Sequence, residues 1–163
     1  MRGWKAVLNS QEHFVALREE LDAVEEYLDI EHMRFGEKLT IEMQIDPRTL
    51  DIVVPSMLLQ PLVENSIKHG IEPKLDPGRI IIRSTLQDGH AVIDVIDDGV
   101  GVGRDEASRL KMNGSGIGLK NVNERLRVIY GARSAVSVST ELGRGTSVRL
   151  EIPDIVAEER ASA

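Results

Sequence analysis

A chain of 163 residues fits one domain with a real core, and 41% hydrophobic with 29% charged residues is ordinary for a globular protein. The net charge of −7, with no basic block to offset it, argues against nucleic acid as a partner. The absence of cysteine excludes disulfides, thiolate metal sites and thiol catalysis. No apolar run approaches the ~18 residues that would cross a bilayer, and nothing resembles a signal peptide.

From Phe14 to Phe35 the residues Leu17, Leu21, Val24, Leu28 and Phe35 recur at helical spacing, with acids between them. "LTIEMQI" (39–45) alternates strictly and reads as a half-buried strand closed by Asp46-Pro47. A second helix is predicted from Pro55 to His69. "RIIIRSTL" (79–86) and "HAVIDVI" (90–96) are strands joined by Asp88-Gly89, a strong hairpin signal. Residues 97–118 are glycine-rich and irregular, and Leu119, Val122, Leu126 and Ile129 mark a helix stopped by Gly131. "AVSVST" (135–140) and "TSVRLEI" (146–152) form a second hairpin around Gly143 and Gly145, and the segment after Pro153 reads as a frayed tail. This order predicts an α/β (α+β) sandwich of two layers: a mixed, mostly antiparallel sheet with helices on one face. A Rossmann fold is disfavoured, because the glycine-rich element comes late and follows a hairpin.

Four stretches carry candidate chemistry. In "LVENSIKHG" (62–70), Asn65, Lys68 and His69 share a helix face beside the apolar stripe of Leu58, Leu62 and Ile67. Two readings stand: a helix end with solvated charges stopped by Gly70, or a polar face that meets a ligand. "VIDDGVGV" (95–102) delivers Asp97 from a strand onto a loop with Gly99 and Gly101. Either Asp-Gly merely reverses the chain, or the carboxylate accepts from an exocyclic amine while glycines let the backbone approach a flat ligand. "GSGIGLKNV" (114–122) opens a helix with Gly114, Gly116 and Gly118 before Leu119, where free N–H groups favour an anion. "GRGTSV" (143–148) places Thr146 in a strand after a tight turn.

In chain order the four read E-N-x-x-K-H, D-x-G-x-G, G-x-G-x-G-L and G-x-G-T. This combination resembles the GHKL ATP-binding superfamily, shared by histidine kinases, DNA gyrase, mismatch-repair ATPases and heat-shock chaperones. "VPSMLLQPLVENSIKHGI" followed by "GIGLKNVNERLRVIYG" is similar to the LytS/YehU-type sensor histidine kinases, in which "LREELDAVEEYLDIEHMRFGEKL" also has a counterpart. The resemblance covers about residues 14 to 153 and implies a Bergerat-type ATP-binding fold. It implies that Asn65 ligates Mg²⁺ on the nucleotide phosphates, and that Lys68 and His69 face the phosphates and ribose. Asp97 would accept from the adenine amino group, with Gly99 and Gly101 shaping that pocket. Gly114, Gly116, Gly118 and Leu119 would form the phosphate side at the base of an ATP lid, and Thr146 would help hold the adenine. Asn65 and Lys68 are thus the expected catalytic pair, and ATP and Mg²⁺ the cofactors.

Two departures from the pattern shape the expectation. Hydrolysing members carry a Glu four residues before the Mg²⁺ Asn; here Pro61 stands there, which cannot act as a base and is expected to kink the helix. Glu64, a substitute base, points about 100° away from Asn65 on a helix. Second, none of His13, His32, His69 and His90 has the N-P-H-F-type setting of a phosphoacceptor. The resemblance therefore implies the catalytic domain of a two-component sensor histidine kinase, over 14–153, acting on a histidine of a separate phosphoacceptor helix. Residues 1–13 would be a remnant of the preceding dimerisation and phosphoacceptor region or an appended leader, and 154–163 a flexible tail. Residues 102–115, with Arg104, Arg109 and Lys111, would close over the nucleotide. A response regulator would lie downstream, and the parent would be a homodimer anchored in the bacterial inner membrane with this domain in the cytoplasm. The alternatives are an anti-sigma-type Ser/Thr kinase, which normally has an acid at the Pro61 position, and a non-catalytic nucleotide-sensing module.

Overall fold

The computed structural model describes residues 12–103, 105 and 117–163. Gly114, Gly116, the lid cations Arg104, Arg109 and Lys111, and residues 1–11 lie outside the described residues. In chain order the elements are β1 (Phe14–Ala16), α1 (Leu17–Phe35), β2 (Leu39–Ile45), β3 (Val53–Pro55), α2 (Gln60–Asn65) running into a π-helical turn (Ser66–Ile71), β4 (Gly78–Gln87), β5 (His90–Asp97), α3 (Ile117–Tyr130), β6 (Ala135–Glu141), β7 (Gly145–Pro153) and α4 (Ile155–Ser162).

Five strands form one sheet in the order β2-β4-β5-β7-β6, parallel between β2 and β4 and antiparallel elsewhere. The β4–β5 turn uses Asp88 and Gly89, both at positive φ (51° and 74°), as the Asp-Gly signal predicts. Ile80, Ile82, Ile93, Val95, Val148 and Leu150 meet Leu21, Val24 and Leu28 of α1, Leu62 and Val63 of α2, and Val122 and Leu126 of α3 in one core. The opposite sheet face mixes Ile81, Val92 and Ile96 with charged and polar pairs: Arg149 makes a forked pair with buried Asp94 (2.8 and 3.1 Å), and Arg83 donates to Gln44 (2.8 Å). The predicted two-layer α/β sandwich is therefore the observed one. Among the described residues no helix is long and apolar enough to cross a membrane.

Three local expectations change. The helix expected from Phe14 begins at Leu17, because Phe14–Ala16 pair antiparallel with Val53–Pro55 in a separate two-stranded sheet. The helix expected from Pro55 begins only at Gln60, after Met57 has taken a φ of 57°. Buried Glu20 of α1 explains that start: its carboxylate accepts from the amides of Met57 (2.6 Å), Leu58 (3.0 Å) and Leu59 (3.3 Å). These are the amides of the turn that leads into α2, of which Leu59 is the N-cap residue. Pro61 consequently sits in the first turn, where its missing N–H costs nothing and no kink is needed. Finally, the expected frayed tail is helix α4. Asp154 caps it by accepting from Ala157 N (3.1 Å), Ile155 is buried, and Glu158 pairs with Arg133 (2.6 Å).

Candidate functional site

Asp97, Gly99, Gly101 and Thr146 come together where the end of β5 and the π-helical turn after α2 meet the start of β7. Asp97 is the last residue of β5, directly opposite Thr146 on β7. It is 4% exposed, although it is a carboxylate. Burial pushes its pKa up and neighbouring Asp98 adds to the rise, against the Gly99 amide hydrogen bond and the nearby Ser66 hydroxyl and Thr146 amide, which lower it. The Gly99 bond is 2.9 Å. A carboxylate has about four acceptor sites, so this bond leaves capacity for further donors.

Glycines make this corner possible by letting backbones touch. A Cβ on Gly70 would come 2.7 Å from Asp97 Oδ1, and one on Gly99 would overlap the Gly70 backbone. Gly145, at φ 110°, lies against the Asp97 carbonyl, and Gly101, at φ 62°, against that of Glu141. The expectation that Gly99 and Gly101 leave room for a ligand is thus refined. Protein backbone fills the space beside both, and their role is to seat the loop. That loop is pinned on two sides: Val100 N donates to Gly70 O (3.2 Å), and Gly143 N to Val100 O (2.8 Å). Thr140 Oγ1 meets Thr146 Oγ1 at 2.8 Å and accepts from Val102 N at 3.2 Å.

Asn65 is half-buried at the junction of α2 and the π-helical turn. The wider turn, with Glu72 N donating to Ile67 O (2.8 Å), carries Gly70 onto Asp97. Lys68 and His69 lie in this turn and are exposed, so the regular α-helical spacing that groups them with Asn65 does not continue through it. Glu64 is also exposed and accepts from Gln60 (3.2 Å). Among the described residues no group of three or more His, Asp or Glu is arranged to hold a metal. A divalent ion beside Asn65 would therefore draw most of its ligands from phosphates and water, as Mg²⁺ commonly does. Gly118 and Leu119 open α3, with Leu119 buried.

Three residues that secure this corner escape sequence reasoning: Ser66, Gly70 and Gly145. Ser66 follows Asn65 and is buried, with its hydroxyl near the Asp97 carboxylate. Gly70 reads as a helix stop and Gly145 as a hairpin turn. Only the register that sets Asp97 beside Thr146 shows what both glycines accommodate.

Comparison with known proteins agrees with this fold. The profile of the family described as "Histidine kinase-, DNA gyrase B-, and HSP90-like ATPase" matches residues 50–155, and that of "Histidine kinase" matches residues 3–39. The sensor histidine kinase YpdA of Escherichia coli is 37% identical over 144 residues, covering 86% of this chain and 25% of the relative. The sensor protein LytS of Bacillus subtilis is 32% identical over 145 residues, covering 85% of this chain and 24% of LytS. The chain thus spans about a quarter of the length of these relatives. In fold it is similar to the histidine kinase domain of the Erythrobacter litoralis blue-light activated kinase (TM-score 0.63, 22% identity, covering 86% of this chain and 62% of that one). It is also similar to the catalytic domain of the histidine kinase ThkA (TM-score 0.63, 15% identity, 89% and 97% covered). With that profile spanning the Asn65, Asp97 and Thr146 segments, the chain belongs to the histidine kinase-, DNA gyrase B- and HSP90-like ATPase family.

Proposed function

We propose that this chain is the ATP-binding catalytic part of a two-component sensor histidine kinase, passing the γ-phosphate of ATP to a histidine on a separate phosphoacceptor helix. The observation that carries the reading is buried Asp97, whose carboxylate is held by the Gly99 amide and keeps acceptor capacity for an exocyclic amine. Adenine presents such an amine, whereas guanine presents a carbonyl there. Gly70, Gly99, Gly101 and Gly145 hold the carboxylate and its loop in a fixed setting, and Thr146 stands directly opposite Asp97 on the adenine side.

On the phosphate side, Asn65 is the residue to hold Mg²⁺, which when bound offsets phosphate charge. Lys68 supplies a second positive charge from the exposed turn, with His69 beside it. Gly114, Gly116 and Gly118, with Leu119, would present amides to the phosphates at the start of α3, under a lid over 102–115. Phosphoryl transfer asks chiefly for such positioning and charge compensation. An imidazole nitrogen of the partner helix bonds to the γ-phosphorus as the bond to the β–γ bridging oxygen breaks, releasing ADP. At the position where hydrolysing members carry a water-activating Glu, this chain has Pro61, in the first turn of α2. That favours transfer to a side chain over hydrolysis. A response regulator would take the phosphate onward, and the parent would be a membrane-anchored homodimer with this domain in the cytoplasm.

The test mixes the chain with a phosphoacceptor-helix fragment, Mg²⁺ and γ-labelled ATP. The fragment should acquire acid-labile label, while the chain alone binds nucleotide and forms almost no phosphohistidine. Strong self-labelling, or rapid conversion of ATP to ADP without a partner, would contradict the proposal.

A further inference from the structure

Arg125 of α3 stands outside the nucleotide residues, yet it reaches two separate segments of the chain. Its Nε and Nη2 donate to the two carboxylate oxygens of Glu12 (3.1 and 2.8 Å), just before β1. Nη2 also donates to Ser56 O (2.7 Å) and Nη1 to Met57 O (3.2 Å), immediately ahead of α2. The same short segment is gripped from its amide side by Glu20 and tied to the leading strand through Ser56 N and His13 O (2.8 Å). Met57 sits between these holds at a φ of 57°, which a non-glycine residue adopts only where its surroundings impose it. The Glu12–Arg125 side chains are only about a quarter exposed (26% and 27%). A planar fork of five N–H donors satisfies this arrangement, and the compact ammonium of lysine does not.

We infer that Arg125 is a positioning residue that locks α2, and with it Asn65, to the leading strand and to α3, so that nucleotide affinity depends on the Glu12–Arg125 pair. The functional half of this inference rests on the nucleotide-site reading above. α2 has only Gln60–Asn65 before the π-helical turn, so the setting of Ser56–Leu59 determines where Asn65 sits. α3 is the helix at whose first turn Gly118 and Leu119 lie. The one guanidinium therefore joins both walls of the site to the segment through which the chain enters the domain.

The experiment compares the full chain with Arg125→Lys, Glu12→Gln and the double variant, with Arg18→Gln as a control for an exposed pair (Arg18–Asp51, 2.9 Å). Amide exchange at residues 57–63 and affinity for a non-hydrolysable ATP analogue with Mg²⁺ are both measured. Arg125→Lys should speed exchange there about tenfold and weaken the analogue by a comparable factor, since several charge-assisted bonds are lost. Glu12→Gln should act in the same direction but less, and add nothing once Arg125 is changed. The control should move neither quantity. Unchanged analogue affinity in Arg125→Lys would overturn the inference, as would strictly additive effects of the two substitutions. Should Arg125→Lys fail to fold, Glu12→Gln decides: a tighter or unchanged affinity refutes the dependence. Failure of the unaltered chain to bind the analogue would overturn the nucleotide-site reading itself, a distinct result.

Discussion

The Asp97 corner and the Asn65 turn meet at Gly70, yet they are built in opposite ways. Asp97 is buried, the Gly99 amide holds it, and glycine-mediated backbone contacts surround it. Asn65 is half-buried, and the two cations beyond it, Lys68 and His69, are exposed. One half of the site is finished before any ligand arrives, and the other presents side chains to solvent. The difference suits a nucleotide: a flat base needs fixed geometry, and phosphates with their ion bring ligands of their own.

The comparison breaks most visibly if a backbone contact of the Asp97 corner is forced open. Gly145→Ala would drive a methyl into the Asp97 carbonyl at φ 110°, and it should cost about 3 kcal/mol or more in denaturant unfolding. Gly143, also at positive φ (81°) but with nothing near a Cβ, is the matched control, and there alanine should cost only about 1 kcal/mol. Equal losses would show that the Asp97 contact is not tight.

On the open side the effect should fall on ligand and spare the fold. Asn65→Ala should remove most of the Mg²⁺ dependence of ATP binding, roughly a tenfold effect, with a melting temperature close to that of the parent chain. Calorimetry showing an unchanged Mg²⁺ effect would take the ion away from Asn65.

A smaller effect is expected from pH, with opposite signs at two carboxylates. Asp97 has its folded pKa raised, chiefly by burial, so the folded chain binds the proton more readily than the unfolded one. Its contribution to stability without nucleotide therefore grows as pH falls through its folded pKa, and ATP affinity falls over the same range. Glu12 has its folded pKa lowered by the Arg125 hydrogen bond, so its contribution is present above the unfolded value and lost as pH falls through the folded one. Acid titration of the D97N and E12Q variants separates the two. A stability profile that D97N leaves unchanged would show that Asp97 does not titrate in this way.

How much of this was legible in the sequence follows from which interactions are local. β2 coincides with 39–45 because one strict alternation codes it, and the β4–β5 turn follows from Asp88-Gly89 alone. The four polar boxes pointed to Asn65, Asp97 and Thr146 because spacing and order were distinctive together. Pairing of three-residue β1 with β3, and the capping of α2 by Glu20 37 to 39 residues away, are tertiary events that no periodicity records. Helix α4 was missed because its hold on the domain comes from a single buried Ile155, a cap by Asp154 and a distant Arg133. Gly70 looked like a helix stop for the same reason: its partner, Asp97, lies on another element.

The most direct test of the central claim is the ratio of ATP to GTP affinity for the parent chain and for Asp97→Asn, by titration calorimetry with Mg²⁺. A charge-assisted hydrogen bond from the adenine amine is worth about 1.5–3 kcal/mol, so the parent should prefer ATP by at least about tenfold. The variant, whose amide both donates and accepts, should lose most of that preference. Equal affinity of the parent for the two nucleotides, or a preference that survives the substitution, would contradict the assignment of Asp97 and with it the account of the site.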